Sequence, residues 1–573
     1  MSPDRRSAAY DHWVISAAAS DAVHDDPAGP AVVARPASPD VSVTAGPPRP
    51  GPHGRHTGPP EPAGAGLPAI LRRRLAPLDN WLDPWSWLAT GVVVVIAAVL
   101  RLVNLAHPSH TIFDEVYYAN EANELMRYGF EWDENNNTPA YVVHPPLGKW
   151  LISLGIRVFE FDAFGWRISA AVAGILMVLI LTRTARRLFR STVLGCTAGL
   201  LLALDGFHLV LSRTALLDIF LAFFVLAAFA ALVLDRDWSR RRWLRAVENG
   251  LDPGLPGRSG RPALRVPWWR LIAALLLGCG LAVKWSAVWF VPVFGLLVLL
   301  WEVGARRSVG VRRPWRDTLI DESGWLVLGG VLIVCTYLAS WSGWLATDGG
   351  YLRHYRADNG LPEPPGIGAL LNLWHYHQQA YGFHSTLETE HRYQSWPWQW
   401  LLLGRPVAFH WTDQATCGAA SCAEEILLLG TPLLWWSFLP AVGALVWLGI
   451  ARRDWRAGAI LAGVAAGLLP WFYYAAENRT MFSFYTAPAL PFLVLAVTYV
   501  LGAIATPAPA VGVGGYGTPG PVSGDRRMVG AVIAGAYVLL VAICFAYFYP
   551  IFAGQALPYE DWSARMWLGN RWI

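Results

Sequence analysis

The sequence predicts an all-α polytopic protein that crosses a membrane about eleven times, and three observations carry that expectation. Only 15% of the 573 residues are charged while 54% are hydrophobic, against roughly 25% charged in soluble domains. Long apolar runs recur from Trp87 almost to the C-terminus. The arginines cluster in the segments between alternate runs, as the positive-inside rule requires of a multi-pass chain. The small net charge of +4 does not point to nucleic acid.

Residues 1–75 are rich in Pro, Gly, Ala and Arg without apolar periodicity, and are expected to form a disordered cytoplasmic tail. The first apolar run starts too deep in the chain for a signal peptide. The expected spans are Trp87–Ala106, Trp166–Leu181, Thr192–Leu209, Thr214–Leu234, Leu271–Val283, Ala287–Trp301, Trp325–Ser342, Ile426–Ile450, Ala457–Tyr474, Phe482–Leu501 and Val529–Phe548. The fifth and sixth are each short for a span, with Lys284 between them. Residues 87–549 thus make the membrane domain, and 550–573 an extracytoplasmic C-terminal tail.

Arg72–Arg74, Arg183–Arg190, the nine arginines from Arg236 to Arg270, Arg306–Arg316, Arg452–Arg456 and Arg526–Arg527 all fall on one side of such a bundle. That side is cytoplasmic, so the N-terminus lies inside and the C-terminus outside a plasma membrane. Two large loops, at about 108–165 and 343–425, then face outward. No internal repeat is evident, which counts mildly against transporters built on repeats.

Of six cysteines, four lie in apolar runs and read as core residues. Cys417 and Cys422 sit in a polar outer segment where a disulfide can persist. No second Cys or His pair completes a zinc set, so no metal is expected.

Candidate chemistry gathers in the outer loops. Asp114 and Glu115 follow closely on the first span. An Asp at a membrane–water boundary can act as general base toward a hydroxyl, or the pair can simply start an interfacial helix. His144 and Lys149 flank a Pro-Pro turn; Lys149 reads either as a phosphate ligand or as an interfacial lysine. Arg167 opens the second span. Arg213 and Asp218 lie near the outer end of the fourth, as an internal ion pair or as substrate contacts. The second loop carries His391, Arg392 and a tryptophan-rich stretch suited to a sugar or a peptide. Arg479, followed by Tyr485 in a short outer turn, reads as a lipid-phosphate ligand or as a snorkelling arginine.

Phe113-Asp114-Glu115, His144-Pro145-Pro146-Leu147-Gly148-Lys149, Trp166-Arg167-Ile168, Ser212-Arg213-Thr214-Ala215-Leu216-Leu217-Asp218 and His391-Arg392-Tyr393-Gln394-Ser395 together resemble the bacterial, actinobacterial-type protein O-mannosyltransferases. The likeness runs from about Trp87 to the C-terminus. It implies a GT-C-like fold, polyprenyl-phosphate mannose as donor, a Ser or Thr of an exported protein as acceptor, inversion at the anomeric carbon, and no metal or cofactor. It also implies Asp114 as base, with Glu115 positioning acceptor or donor. Arg479 would contact the phosphate, Arg167 and Arg213 would support the site, and His391 and Arg392 would shape the acceptor side. Eukaryotic members carry a β-trefoil domain in the second large loop, for which this loop is too short.

The main alternative is a transferase of the same superfamily with another lipid-linked sugar, or with a lipid or glycan acceptor. A lipid-linked sugar transporter is the alternative of another class; it predicts charges along a pathway through several helices, whereas these cluster near the outer face. An acceptor that must be unfolded makes the secretion channel a further candidate partner, beside membrane lipid.

Overall fold

The computed structural model describes residues 83–572, apart from Asn135, Val142 and 507–523, together with Leu75 and Leu78. The expected tail over 1–75 lies outside the described residues, Leu75 excepted. Most of the described residues are helical. Helix α1 (Pro84–Leu102) starts where Asp83 accepts a hydrogen bond from the Trp85 amide and proline fills the first turn. The segment after α1 holds α2 (Glu115–Tyr128), a hairpin of β1 (Trp132–Asp133) and β2 (Thr138–Pro139), and α3 (Leu147–Phe159). Next come α4 (Ala163–Phe189), α5 (Thr192–Ala203), α6 (Gly206–Ser212) and α7 (Leu217–Glu248). Then follow α8 (Trp268–Val283), α9 (Phe290–Val309) and α10 (Pro314–Ser340).

The segment after α10 contains α11 (Gly368–Ser385) and the antiparallel pair β3 (Val407–Thr412) and β4 (Cys422–Leu428). The bundle closes with α12 (Phe438–Arg452), which a helical turn at Pro432–Trp436 leads into to make one apolar stretch of 21 residues, and with α13 (Trp455–Ala476), α14 (Leu490–Ala505) and α15 (Gly524–Ala553). Among the described residues, eight helices are long and apolar enough to cross a membrane, and nine if the bent pair α5–α6 is one span. The shortfall against the expected eleven is α8 and α14, of 16 residues each. At 1.5 Å per residue each reaches only about 24 Å, under the roughly 30 Å of an apolar bilayer core.

Burial ranks the helices. The most apolar window of α7 is 72% buried inside the bundle, against 11% for α10 and 17% for α15. Helix α7 is therefore the central post, and α10 and α15 turn most of their apolar surface outward, toward lipid. Small residues permit the close approaches between helices: at Gly174 of α4 a β-carbon would collide with the Ser212 side chain of α6.

The expected C-terminal tail is folded. Strand β5 (Leu557–Pro558) pairs with β4 and extends that sheet to three strands. Arg405 donates to the Asn570 and Arg571 carbonyls, Trp572 to the Leu403 carbonyl and Trp562 to Glu425. Cys417 and Cys422 are joined by a disulfide beside the start of β4.

A 65° bend separates α5 from α6, and one carboxylate pins it. Asp205 is fully buried, accepts from the His208 amide at 3.0 Å, and also accepts from the Thr431 amide at 3.1 Å and the Trp435 indole at 2.7 Å. Asp205→Ala orphans three buried donors at roughly 1–3 kcal/mol each. We expect a loss of at least about 3 kcal/mol, read as a lower thermal midpoint of the detergent-solubilised protein; an unchanged midpoint would refute this account of the bend.

Candidate active site

The C-terminal end of α1 is held by arginines that reach across the bundle. Arg213, at the end of α6, donates to the carbonyls of Leu100, Arg101, Val103 and Asn104. These are the groups a helix leaves without partners at its C-terminus. Arg167, in the first turns of α4, donates to the carbonyls of Leu105, Pro108 and His110. Its remaining valences make a two-pronged bond to Glu115, at 2.8 Å from Nε and 2.7 Å from Nη2. The amides of Ile112 and Ala215 complete the Glu115 carboxylate at 3.0 and 2.9 Å. Both side chains are fully buried.

That pair fixes the backbone two residues upstream of Glu115. Phe113 sits at φ +48°, a left-handed conformation that costs a bulky residue roughly 1–2 kcal/mol. Its ring stacks on Phe409 at 4.5 Å and meets Phe484 edge-on at 5.9 Å. The turn leaves Asp114 at the head of α2, half-buried, and its carboxylate makes no capping bond to the helix. Burial raises its pKa to about 7. Lys284 opposes that rise, while Asp218 and Glu121 add to it.

Lys284 occupies the break between α8 and α9. It bonds Asp218 of α7 at 2.7 Å, with both side chains almost entirely buried. Its ammonium also lies 5.4 Å from the ring centres of Phe484 and Tyr485. Arg479 lies 5.7 Å from the same Tyr485 ring and donates to the His384 carbonyl at 2.9 Å. Two cations thus share one aromatic ring, an arrangement that suits an anion.

Two histidines adjoin them. The His144 and His384 rings are 5.3 Å apart. Burial holds both below the usual histidine range, His384 at about 4, and the nearby Lys284 and Arg479 push the same way. Both are neutral near pH 7 and serve as hydrogen-bonding groups. On the far side of the group, His391 packs edge-on to Phe482 at 5.0 Å, and Phe482 stacks on Phe484. Arg392 lies over the Tyr393 ring.

Asp114, His144, Asp218, Arg479 and Tyr485 are therefore brought together around Lys284, with His391 and Arg392 at the edge. Several residues lie otherwise than the sequence suggests. The fully buried Lys149 ammonium is 3.2 Å from Glu121 and 3.1 Å from Glu131, so it is enclosed by carboxylates rather than presented to a phosphate. Glu115 and Arg167 are engaged by each other and the backbone. Arg213 caps α1, and the partner of Asp218 is Lys284. Lys284 itself escaped sequence reasoning as a site residue. Its signal was a lysine, one of only two in the chain, at the junction of two short apolar runs.

Residues 91–315 match the family described as dolichyl-phosphate-mannose-protein mannosyltransferase, and 369–572 match the C-terminal four-span region of protein-O-mannosyltransferase. The chain is 39% identical over 518 residues to a polyprenol-phosphate-mannose–protein mannosyltransferase of Mycolicibacterium smegmatis, covering 87% of this chain and 95% of that one. It is 32% identical to the protein of that name from Corynebacterium glutamicum, covering 86% and 94%. Among solved structures it is similar to the S. cerevisiae protein O-mannosyltransferase Pmt1–Pmt2 complex bound to the sugar donor. The TM-score is 0.65 at 15% identity, covering 89% of this chain and 95% of that one.

Removing either partner of the Glu115–Arg167 pair strands a buried charge, which costs about 3–5 kcal/mol. We expect Arg167→Ala and Glu115→Ala each to unfold the protein at markedly lower temperature. Arg167→Lys should rescue little, because an ammonium cannot make the two-pronged bond. A thermal midpoint within a degree of wild type for Arg167→Ala would overturn the structural role.

Proposed function

The chain belongs to the dolichyl-phosphate-mannose-protein mannosyltransferase family, and on that premise we propose that it transfers mannose from polyprenyl-phosphate mannose to Ser or Thr hydroxyls of exported proteins. The observation that carries the catalytic assignment is Asp114, a half-buried carboxylate titrating near neutrality beside two cations on one ring. Asp114 takes the proton of the acceptor hydroxyl. The hydroxyl oxygen forms a bond to the anomeric carbon as the bond from that carbon to the phosphate oxygen breaks, in line and with inversion. The donor's phosphodiester is thereby cleaved, and the electron pair of the broken bond leaves on polyprenyl phosphate, a monoester anion stable enough to need no proton. Lys284 and Arg479 hold the phosphate as its charge grows, and His144 and His384 donate or accept hydrogen bonds around it. Glu115, Arg167, Arg213 and Lys149 act through the backbone they fix.

The arginine distribution supports a plasma-membrane topology with the N-terminus cytoplasmic and the site on the outer face. The eleven sequence segments remain our choice of spans, with α8 and α14 as short ones ending beside Lys284 and the Arg479 turn. An unfolded acceptor emerging at that face supports the secretion channel as a partner. His391 and Arg392 form the acceptor edge.

Transfer of labelled mannose from polyprenyl-phosphate mannose to a Ser/Thr-rich peptide tests the assignment. Asp114→Asn should lower kcat by about 10²- to 10⁴-fold with an unchanged thermal midpoint; full activity in a folded variant would eliminate Asp114 as base.

The working form of Asp114 is the carboxylate. For wild type, kcat/KM should therefore rise about tenfold per pH unit up to about 7 and level off above. Lys284 favours the charged carboxylate, so Lys284→Met should move that inflection to higher pH and raise KM for the donor. An inflection that stays put in Lys284→Met would separate the lysine from the base.

A further inference from the structure

The end of the bundle remote from Asp114 carries its own charged recess. Along α7 the roughly 24 residues from Asp218 to Arg242 span about 36 Å, more than a bilayer core. The recess there lies between the end of α7, the segment 258–267, and the ends of α8, α9 and α10. Glu302, Asp321 and Glu322 line it, and both oxygens of each are already bonded. Arg270 and Arg306 take the two oxygens of Glu302 and the two of Glu322, and Arg261 and Arg306 take those of Asp321.

Three further arginines, Arg242, Arg258 and Arg265, line the same recess and make no salt bridge among the described residues. Arg242 lies over the Trp238 ring, and its Nε is buried without a hydrogen-bond partner. Both oxygens of every lining carboxylate are already taken by other arginines, so these three cations find no vacant carboxylate oxygen in the recess, and Arg242 acts on Glu302 through charge alone. Apolar side chains stand out beside them: Leu264 and Trp268 are 57% and 67% exposed. Exposed indole and aliphatic groups next to unpaired guanidiniums are the chemistry of a membrane interface with anionic headgroups.

We propose that Arg242, Arg258 and Arg265 form a phosphate-binding site that takes the headgroup of an anionic phospholipid. Guanidinium forks match phosphate oxygens, the saturated network beneath holds the recess in shape, and Leu264 and Trp268 lie against the acyl chains. The site is independent of the chemistry at Asp114.

The test uses the full-length protein in detergent, titrated with phosphatidylglycerol, phosphatidylcholine or inorganic phosphate, with binding read by native mass spectrometry and by thermal midpoint. Wild type should bind phosphatidylglycerol saturably and be stabilised by it, and phosphatidylcholine should do neither. At roughly fivefold per arginine near a surface, the combined Arg242→Gln, Arg258→Gln, Arg265→Gln variant should bind on the order of a hundredfold more weakly. Mannosyl transfer by that variant serves as the control for folding. Binding of inorganic phosphate as tight as that of phosphatidylglycerol would support the anion site while assigning it to a soluble phosphate. Equal binding of phosphatidylglycerol by wild type and a transfer-competent variant, or equal binding of phosphatidylcholine, would overturn the proposal.

Discussion

The bond between Glu115 and Arg167 sets the geometry of everything around it. The guanidinium gathers three carbonyls from the end of α1 and the strand of chain that follows, while the carboxylate gathers two amides, one from before α2 and one from before α7. Three stretches of chain, 105–115, the first turns of α4 and the turn before α7, thus converge on one buried pair. An ion pair out of water contributes little net stability, since desolvation offsets much of the attraction. What it supplies is direction: each donor and acceptor has one place to go, so the loop between α1 and α2 has one shape. That shape includes the left-handed Phe113, whose strain persists because its ring is clamped between Phe409 and Phe484.

Adjacent residues of the same chemistry consequently have opposite fates. Glu115 is saturated by donors and inert. Asp114, one residue earlier, has burial without donors, and so a carboxylate that holds its proton more tightly. Environment separates a structural acid from the base we propose. The same division appears around Lys284 and Lys149. Lys149 has two carboxylates against it, whereas Lys284 has one and faces two aromatic rings and a second cation across Tyr485.

Much of this was legible in the sequence, and the limits have physical causes. Apolar run length and arginine alternation report solvation by lipid, a local property, so the helices could be read one by one. The Asp-Glu pair beside a membrane boundary was visible as chemistry. Which of the two acids stays free depends on Arg167, which is remote in sequence and whose partners a linear reading cannot supply. Arg213 and Asp218 are close enough along the chain to suggest a pair, yet one caps α1 and the other meets Lys284. The break at Lys284 was visible too, but as a doubtful boundary between two short runs. Its meaning comes from what packs against the break. The C-terminal segment shows the same limit, because a third strand on β4 is a long-range pairing.

The two ends of α7 are built on opposite rules, and the difference separates scaffold from site. At the remote end, Glu302 and Glu322 are shared between Arg270 and Arg306, and Asp321 between Arg306 and Arg261, so that no lining acid retains an open oxygen. Networks satisfied in this way rigidify a structure and leave no acidic group to react. At the other end, Asp114 is left without a capping partner and Lys284 with one carboxylate. Such open valences inside a dehydrated space are costly, and a fold retains them where a substrate completes them. The shared arginines hold α8, α9 and α10 together at one end, and Arg270 ties them to Asp235 of α7. The unsaturated groups hang from the other ends of α7 and α8, where the binding of a phosphate and a hydroxyl would supply the partners that the chain withholds.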